Sequence, residues 1–142
     1  MLTGHSSYID AVVQVKSNID SGMFKGIQDA AIEALQIDSS WHHQQNGIYK
    51  HRRTLVQGMM DLLGCTYDTD TAGLFVWAKV KEGIDTLQFT DHILKEARVF
   101  IVPGEVFGTQ GSNYVRASLC VPQERIKEAI SRINKTKIEL KA

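Results

Sequence analysis

The hydrophobic periodicity of this chain changes at Gly64, and this change limits the folds that the chain can adopt. Before Gly64, apolar residues recur at three- and four-residue steps, which predicts helices at about residues 6–16, from Asp20 or Ser21 onward, and at about residues 48–63. After Gly64, short runs rich in β-branched and aromatic residues alternate with two further helical segments. This order predicts a mixed α/β (α+β) fold, in which helices cover one face of a sheet of three or four strands.

Capping and turn residues predict several element boundaries. Residues 38–40 indicate a break and a new cap, and residues 46–47 (Asn-Gly) indicate a kink in the third helix or its true start. Gly64 is placed to end that helix in the left-handed conformation. Thr90 is predicted to cap the next helix. The wholly apolar run at residues 99–102 predicts a central, buried strand.

The composition argues against several classes of protein. The 142 residues carry 16 basic and 16 acidic side chains, so no excess charge favours nucleic acid or a membrane surface. The longest apolar run is too short to span a bilayer, and the first residues lack the features of a signal peptide. Cys65 and Cys120 could pair, but so few cysteines fit a reducing compartment better. We therefore predict a globular, cytoplasmic protein.

Histidines and basic residues cluster between residues 42 and 53. His42, His43 and His51 match the spacing of no closed metal site, so we predict exposed histidines and no bound metal. The basic group at residues 50–53 predicts a solvated helix face, because no other basic or aromatic cluster supports a nucleic-acid site.

Residues 111–121 form a strand-like stretch with one arginine, Arg116, in an apolar setting. Side chains alternate along a strand, so Arg116 shares a face with Tyr114 and Ser118, opposite Val115 and Ala117. A guanidinium is costly to desolvate without a partner, and its flat fork of donors suits a carboxylate or phosphate held by two bonds. A structural ion pair, or an edge position open to water, would explain the same residue.

Four motifs in order carry a family resemblance. They are Tyr49–Arg53 with the helix ending at Gly64, Ala72–Trp77 (A-G-L-F-V-W), Val102–Gly108 (V-P-G-E-V-F-G), and Gly111–Leu119 (G-S-N-Y-V-R-A-S-L). With them, residues 49–142 resemble the small C-terminal domain of the class I/II aminotransferases, which are pyridoxal-phosphate enzymes of fold type I. Residues 1–48 resemble the helical tail of that family's large domain, so the resemblance covers essentially the whole chain.

The resemblance implies roles for a few residues. In that family, the arginine that matches Arg116 binds the α-carboxylate of the amino acid or 2-oxo acid substrate. The loop at residues 103–111 would border the pocket, with Phe107 either in its wall or packed beneath the loop. Ser17 and Asn18, in a predicted loop, resemble the loop that approaches the neighbouring subunit's cofactor in the family dimer.

The resemblance also implies what the chain lacks. The lysine that binds pyridoxal phosphate, the acidic partner of the pyridine nitrogen and the phosphate site should all lie upstream of Met1. We therefore expect a C-terminal fragment of an aminotransferase that has no catalytic residue, is inactive alone and binds no pyridoxal phosphate, which the full-length parent would hold. The apolar residues Met23, Phe24, Ile27 and Leu35 have little to bury them, which predicts a homo-oligomer.

Two alternatives remain at this point. The parent could be a lyase or a synthase that uses the same cofactor, because Arg116 would serve any α-amino acid. The chain could instead be a non-catalytic module that binds a small carboxylate or dimerises.

Overall fold

The computed structural model describes residues 2–20 and 22–136, which contain five α-helices and four strands. Ser21, one predicted start of the second helix, lies outside the described residues. The helices are α1 (Ser6–Ile19), α2 (Lys25–Leu35), α3 (Ser39–Leu62), α4 (Thr86–Ala97) and α5 (Gln123–Thr136). The strands are β1 (Thr66–Tyr67), β2 (Phe75–Lys79), β3 (Val102–Pro103) and β4 (Tyr114–Ser118).

The chain divides into two units between His42 and His43. The first unit contains α1 and α2, and neither helix has a buried residue. The prediction that a helix starts at Asp20 was wrong, because Asp20 is the C-cap of α1 and its N–H donates to the Lys16 carbonyl at 2.9 Å. The second helix begins only at Lys25. The division lies near the predicted domain boundary at residue 48, and that boundary stays a prediction.

Helix α3 begins in the first unit and continues through most of its length in the second. The Asp38 carboxylate accepts the Ser40 N–H at 2.7 Å, which fits the predicted cap. A helix start at residues 46–47 was wrong, since the helix runs through both residues with Gly47 in its interior, and the alternative of a kink there stays a prediction. Gly64 has φ +67°, so the predicted left-handed end of this helix is confirmed.

The sheet has the strand order β1-β2-β4-β3, and every pair of neighbours is antiparallel. The predicted mixed fold with a small sheet is therefore confirmed. The prediction of a central strand at residues 99–102 was wrong, because β3 is an edge strand of two residues. Ile101 is buried but Phe100 is 70% exposed, so an apolar run did not mean burial on both faces.

One face of the sheet packs on helices of the second unit. Val76 and Ala78 of β2, with Val115 and Ala117 of β4, point into this core and are almost fully buried. The helices contribute apolar side chains from one stripe each, as amphipathic helices over a sheet do. The helical members of this core are Val56, Met59, Met60, Phe89, Ile93, Ala97, Ile126 and Ile133.

Helix α4 begins one turn earlier than the sequence predicts. Its N-cap is Asp85, whose carboxylate accepts the Gln88 N–H at 2.8 Å. The predicted cap, Thr90, instead lies inside the helix and donates its hydroxyl to the Thr86 carbonyl at 3.0 Å. Aspartate and threonine can both cap a helix, and here the cap is Asp85, which directly precedes the first helical residue.

The two cysteines are not paired. Cys65 is buried and Cys120 is exposed. Burial in apolar surroundings raises the pKa of the Cys65 thiol to about 11, which leaves it protonated at neutral pH. Among the helices of the described residues, none combines the length and the apolar character needed to cross a membrane.

Candidate functional site

The face of the sheet opposite the core is partly exposed in the second unit and carries aromatic side chains around one arginine. In β2 the exposed residues Phe75, Trp77 and Lys79 alternate with buried ones, and in β4 Tyr114 and Arg116 are half-buried on the same side. Trp77 and Arg116 are direct partners in the register of β2 and β4. This face therefore gathers the non-core side chains of both strands, as the alternation along β4 predicts.

Arg116 lies between two aromatic rings. Its Cζ atom is 4.2 Å from the centre of the Phe75 ring and 4.0 Å from the centre of the Phe107 ring. A guanidinium at this distance over an aromatic face is attracted by the ring and gives up part of its hydration. The two rings therefore restrict the movement of the guanidinium, and the Arg116 side chain is half-buried.

No ion pair of the described residues includes Arg116. The ion pairs formed there join side chains three or four positions apart, within a helix or at its end. Moreover, β4 lies between β2 and β3, so Arg116 does not occupy the edge position that the sequence left open. The Arg116 guanidinium has no carboxylate of the described part of the chain against it, and its fork of N–H donors matches the geometry of an anion that has two acceptor oxygens.

The loop that follows β3 delivers Phe107 to this face. It consists of two short 3-10 turns, Gly104–Phe107 and Thr109–Gly111, joined by Gly108 at φ +120°. Gly104 and Gly111 pack backbone against backbone. A Cβ atom at Gly111 would lie 2.5 Å from the Gly104 carbonyl carbon, so only glycine fits there. The close contact between Gly104 and Gly111 brings the two ends of the loop together, and Phe107, between them in the chain, lies over Arg116.

Trp77 connects the loop to the sheet. Its ring stacks on Tyr114 with centroids 5.4 Å apart, and meets Phe107 edge-on at 5.9 Å. The sequence left two roles open for Phe107, either in the wall of a pocket or packed beneath the loop. In the structure its ring is half-exposed and contacts Arg116 and Trp77.

Sequence reasoning missed Phe75 and Trp77 as neighbours of Arg116. Both lie in one of the runs rich in β-branched and aromatic residues that predict strands, but which residue of β2 faces Arg116 depends on the register of two strands that are distant in the chain. The alternation within β2 would have placed Phe75 and Trp77 on one face, and their shared apolar character is the only local signal.

Ser17 and Asn18 are not in a loop, so that prediction was wrong. Helix α1 continues to Ile19, and both side chains donate hydrogen bonds back to the Gln14 carbonyl, at 3.1 Å and 2.7 Å. Small polar residues of this type bind the preceding turn of a helix as readily as they form turns. They belong to the first unit, and their proximity to a neighbouring subunit's cofactor stays a prediction.

The described residues do not fit a pyridoxal-phosphate site. Such a site needs a lysine in a partly enclosed, low-dielectric pocket, whereas every lysine of the described residues is exposed. Within the same residues, no group of three or more His, Cys, Asp or Glu side chains could hold a metal ion. We therefore derive no chemical step through a cofactor or a metal in this chain.

Comparison with known proteins reveals the family. Residues 1–133 match the family of aminotransferases of class I and II. The chain is 38% identical over 135 residues to the LL-diaminopimelate aminotransferase of Maridesulfovibrio salexigens, and this alignment covers 95% of this chain and 35% of the relative. It is 38% identical over 139 residues to the enzyme of the same name from Halothermothrix orenii, covering 97% of this chain and 36% of the relative.

Solved structures agree with these sequence matches. The apo structure of BacF from Bacillus subtilis superposes with a TM-score of 0.82 at 31% identity, covering 99% of this chain and 36% of that one. An aminotransferase from Staphylococcus aureus superposes with a TM-score of 0.83 at 28% identity, covering 98% and 37%. The chain thus spans about a third of the length of the proteins that it matches, and it belongs to the family of class I and II aminotransferases.

Proposed function

We propose that this chain is the C-terminal portion of a pyridoxal-phosphate-dependent aminotransferase, and that Arg116 binds the α-carboxylate of its substrate. The parent would transfer an amino group between an amino acid and a 2-oxo acid. The observation that carries the proposal is the guanidinium of Arg116, held by the Phe75 and Phe107 rings on the sheet face opposite the core. The family supports it, because class I and II aminotransferases use pyridoxal phosphate and act on α-amino acids.

The geometry suits this role for two reasons. A carboxylate offers two oxygens in the plane of a guanidinium fork, and two parallel bonds fix its direction as well as its position. The aromatic rings restrict the rotation of Arg116 before any ligand arrives, so less freedom is lost on binding. A substrate anchored at its carboxylate presents its Cα atom in a fixed orientation, which is the requirement of a reaction at that atom.

We propose that residues 1–48 are the tail of the large domain and that residues 49–142 are the small domain. The cofactor would be held by parts of the parent outside this chain, in agreement with the exposure of every described lysine. The relatives are named LL-diaminopimelate aminotransferases, which makes LL-diaminopimelate the first amino acid to test as a substrate. A cytoplasmic location fits a small-molecule enzyme of this kind.

Carboxylate binding by Arg116 can be tested on the chain itself. We expect pyruvate, a small 2-oxo acid, to shift the Arg116 Nε–Hε signal in a ¹H–¹⁵N NMR spectrum. The shift should reach a plateau as the pyruvate concentration rises. Methyl pyruvate, which has no carboxylate, is the matched control and should leave the signal in place. Arg132, on α5, already binds Glu128, and its signal serves as an internal reference for non-specific effects. Equal responses to both ligands, or none at Arg116, would refute the proposed site.

The isolated chain is expected to form no specific lysine adduct with pyridoxal phosphate. Its described lysines are exposed and therefore lack the desolvation that activates a lysine nucleophile. The measurement is borohydride trapping followed by mass spectrometry, over a range of cofactor concentrations. Scattered, non-saturating modification is the expected result, and one stoichiometric adduct at a single lysine would contradict it.

A dimerisation module is the second candidate, because α1 and α2 have no buried residue. Phe24 is 77% exposed and Leu35 is 83% exposed, and apolar surface of this extent favours association. We expect a homo-oligomer at micromolar concentrations by sedimentation velocity, and weaker association in the double variant Phe24→Ser/Leu35→Ser. The matched control is Leu87→Ser, at an exposed leucine of the second unit. A monomeric wild-type chain would contradict this expectation.

A further inference from the structure

Arg53 makes contacts that its surroundings in the sequence do not suggest. The basic group at residues 50–53 was predicted to be a solvated helix face, but Arg53 is half-buried on α3. Its Nη1 atom donates to the Thr71 hydroxyl at 2.9 Å and to the Phe75 carbonyl at 3.2 Å. Its Nη2 atom donates to the Gly73 carbonyl at 2.5 Å. One guanidinium therefore binds two acceptors in the turn that precedes β2 and a third on the first residue of β2.

The same turn is tied to β4 from its other side. The Leu119 N–H donates to the Leu74 carbonyl at 2.9 Å, and Gly73 supplies the positive φ of +86° that the turn requires. The turn leads directly into Phe75, the first residue of β2, whose ring lies against the Arg116 guanidinium. A continuous set of contacts thus runs from Arg53 through residues 71–75 to Arg116.

We propose that Arg53 is a positioning residue for Arg116: it fixes the turn at residues 71–75, and the turn fixes the Phe75 ring against the guanidinium of Arg116. The effect on ligand binding rests on the proposed function of Arg116. The effect of Arg53 on the position of the Phe75 ring does not depend on that proposed function. Arg53 touches no substrate in this arrangement and acts only by holding the residue beside the anchor.

The chemistry of the contact explains why an arginine is needed. The planar fork of a guanidinium carries five N–H donors and can satisfy several carbonyl and hydroxyl oxygens at once. A lysine ammonium at the same place would keep the charge but could not span the acceptors on Thr71, Gly73 and Phe75 in one geometry. Arg53→Lys should therefore retain the fold and lose part of the positioning, whereas Arg53→Ala should lose all of it.

The ligand-free arm of the test reads the position of the Phe75 ring directly. Aromatic rings shift the signals of protons that lie over their faces, so the Arg116 Hε proton reports on Phe75 and Phe107. We expect Arg53→Ala to move this signal toward its value in an unstructured chain, and Arg53→Lys to move it part of the way. Arg132→Ala is the matched control, because it removes another bond from a helix arginine to a loop carbonyl, that of Arg98, and should leave the signal unchanged.

The ligand-bound arm is a double-mutant cycle with pyruvate as the probe. Loss of the cation–ring contact should weaken pyruvate binding about fivefold in Arg53→Ala and in Phe75→Ala. If Arg53 acts through Phe75, the double variant should bind no more weakly than either single variant, and additive losses would overturn the proposal. A wild-type chain that binds no pyruvate would refute the proposed function of Arg116, and the ligand-free arm would still decide the role of Arg53.

Two outcomes of the ligand-free arm decide against the positioning role. A folded Arg53→Ala variant with an unchanged Arg116 Hε signal overturns it, and so does an equal change in Arg132→Ala. If Arg53→Ala does not fold, Thr71→Val provides the measurement, because it removes one of the three acceptors and leaves Arg53 in place. Its expected result is a smaller shift in the same direction, and no shift would overturn the proposal.

Discussion

In the proposed full-length aminotransferase, Arg116→Lys is expected to lower kcat/KM by about 10- to 100-fold. Lysine keeps the positive charge but loses one of two parallel bonds to the carboxylate, and a bond to a charged group contributes about 1.5–3 kcal/mol. The fall in kcat/KM should exceed about 100-fold if the substrate also tilts away from its reactive orientation. The change in melting temperature should be small, because Arg116 is only half-buried and forms no ion pair with the described residues.

The two quantities must be measured on the same variant. If Arg116 served only the fold, Arg116→Lys would lower the melting temperature and leave the activity per folded molecule near that of the wild type. Lys79→Arg is a matched control, since Lys79 lies on the same face of the sheet and is not the cation that lies over the Phe75 and Phe107 rings. A destabilised enzyme of normal specific activity would remove Arg116 from the substrate site.

Gly104→Ala and Gly111→Ala are expected to destabilise the second unit by about 3 kcal/mol or more, at or above the upper end of the usual cost of overpacking. A Cβ atom at Gly104 would lie 2.8 Å from the Tyr114 carbonyl oxygen and 2.9 Å from Trp77 Cη2, in addition to its overlap with Gly111. Two of these three obstacles are backbone atoms, which cannot rotate away. The loop must therefore open, and Phe107 must leave Arg116.

Chemical denaturation measures this effect, and Gly58→Ala is its matched control. Gly58 lies inside α3, and apart from its chain neighbours and the helix's own backbone no atom lies within 4 Å of the position that a Cβ atom would take, so alanine there should be neutral or should stabilise the chain by up to about 1 kcal/mol. The Arg116 Hε signal should move in both loop variants and stay in place in the control. Loop variants as stable as the wild type would show that the contact between Gly104 and Gly111 is dispensable.

The sequence predicted those features that depend on short-range patterns. Alternation along residues 114–118 separated Arg116 from the core side chains, and the position of Gly64 located the left-handed end of α3. These predictions held because each depends on the geometry of a few consecutive residues. The family resemblance was confirmed for the same chain, with the match extending over residues 1–133.

The missed features depend on which segments meet in three dimensions. The apolar run at residues 99–102 gives no indication of how many strands lie beside it, so an edge strand was taken for a central one. Arg53 looked like a solvated residue because its acceptors lie 18 to 22 positions away. Phe75 became a neighbour of Arg116 only through the pairing of β2 with β4. A single sequence holds no local signal for such contacts.

Strand β4 serves two purposes with five residues, and this arrangement limits how the protein can evolve. Val115 and Ala117 fill the core while Arg116, between them, faces the candidate site. A substitution that repacks the core side of this strand also shifts the guanidinium, so selection for stability and selection for substrate binding act on the same short segment. Lineages of this family should therefore accumulate changes freely on the exposed sides of α4 and α5, and change β4 only together with its neighbours.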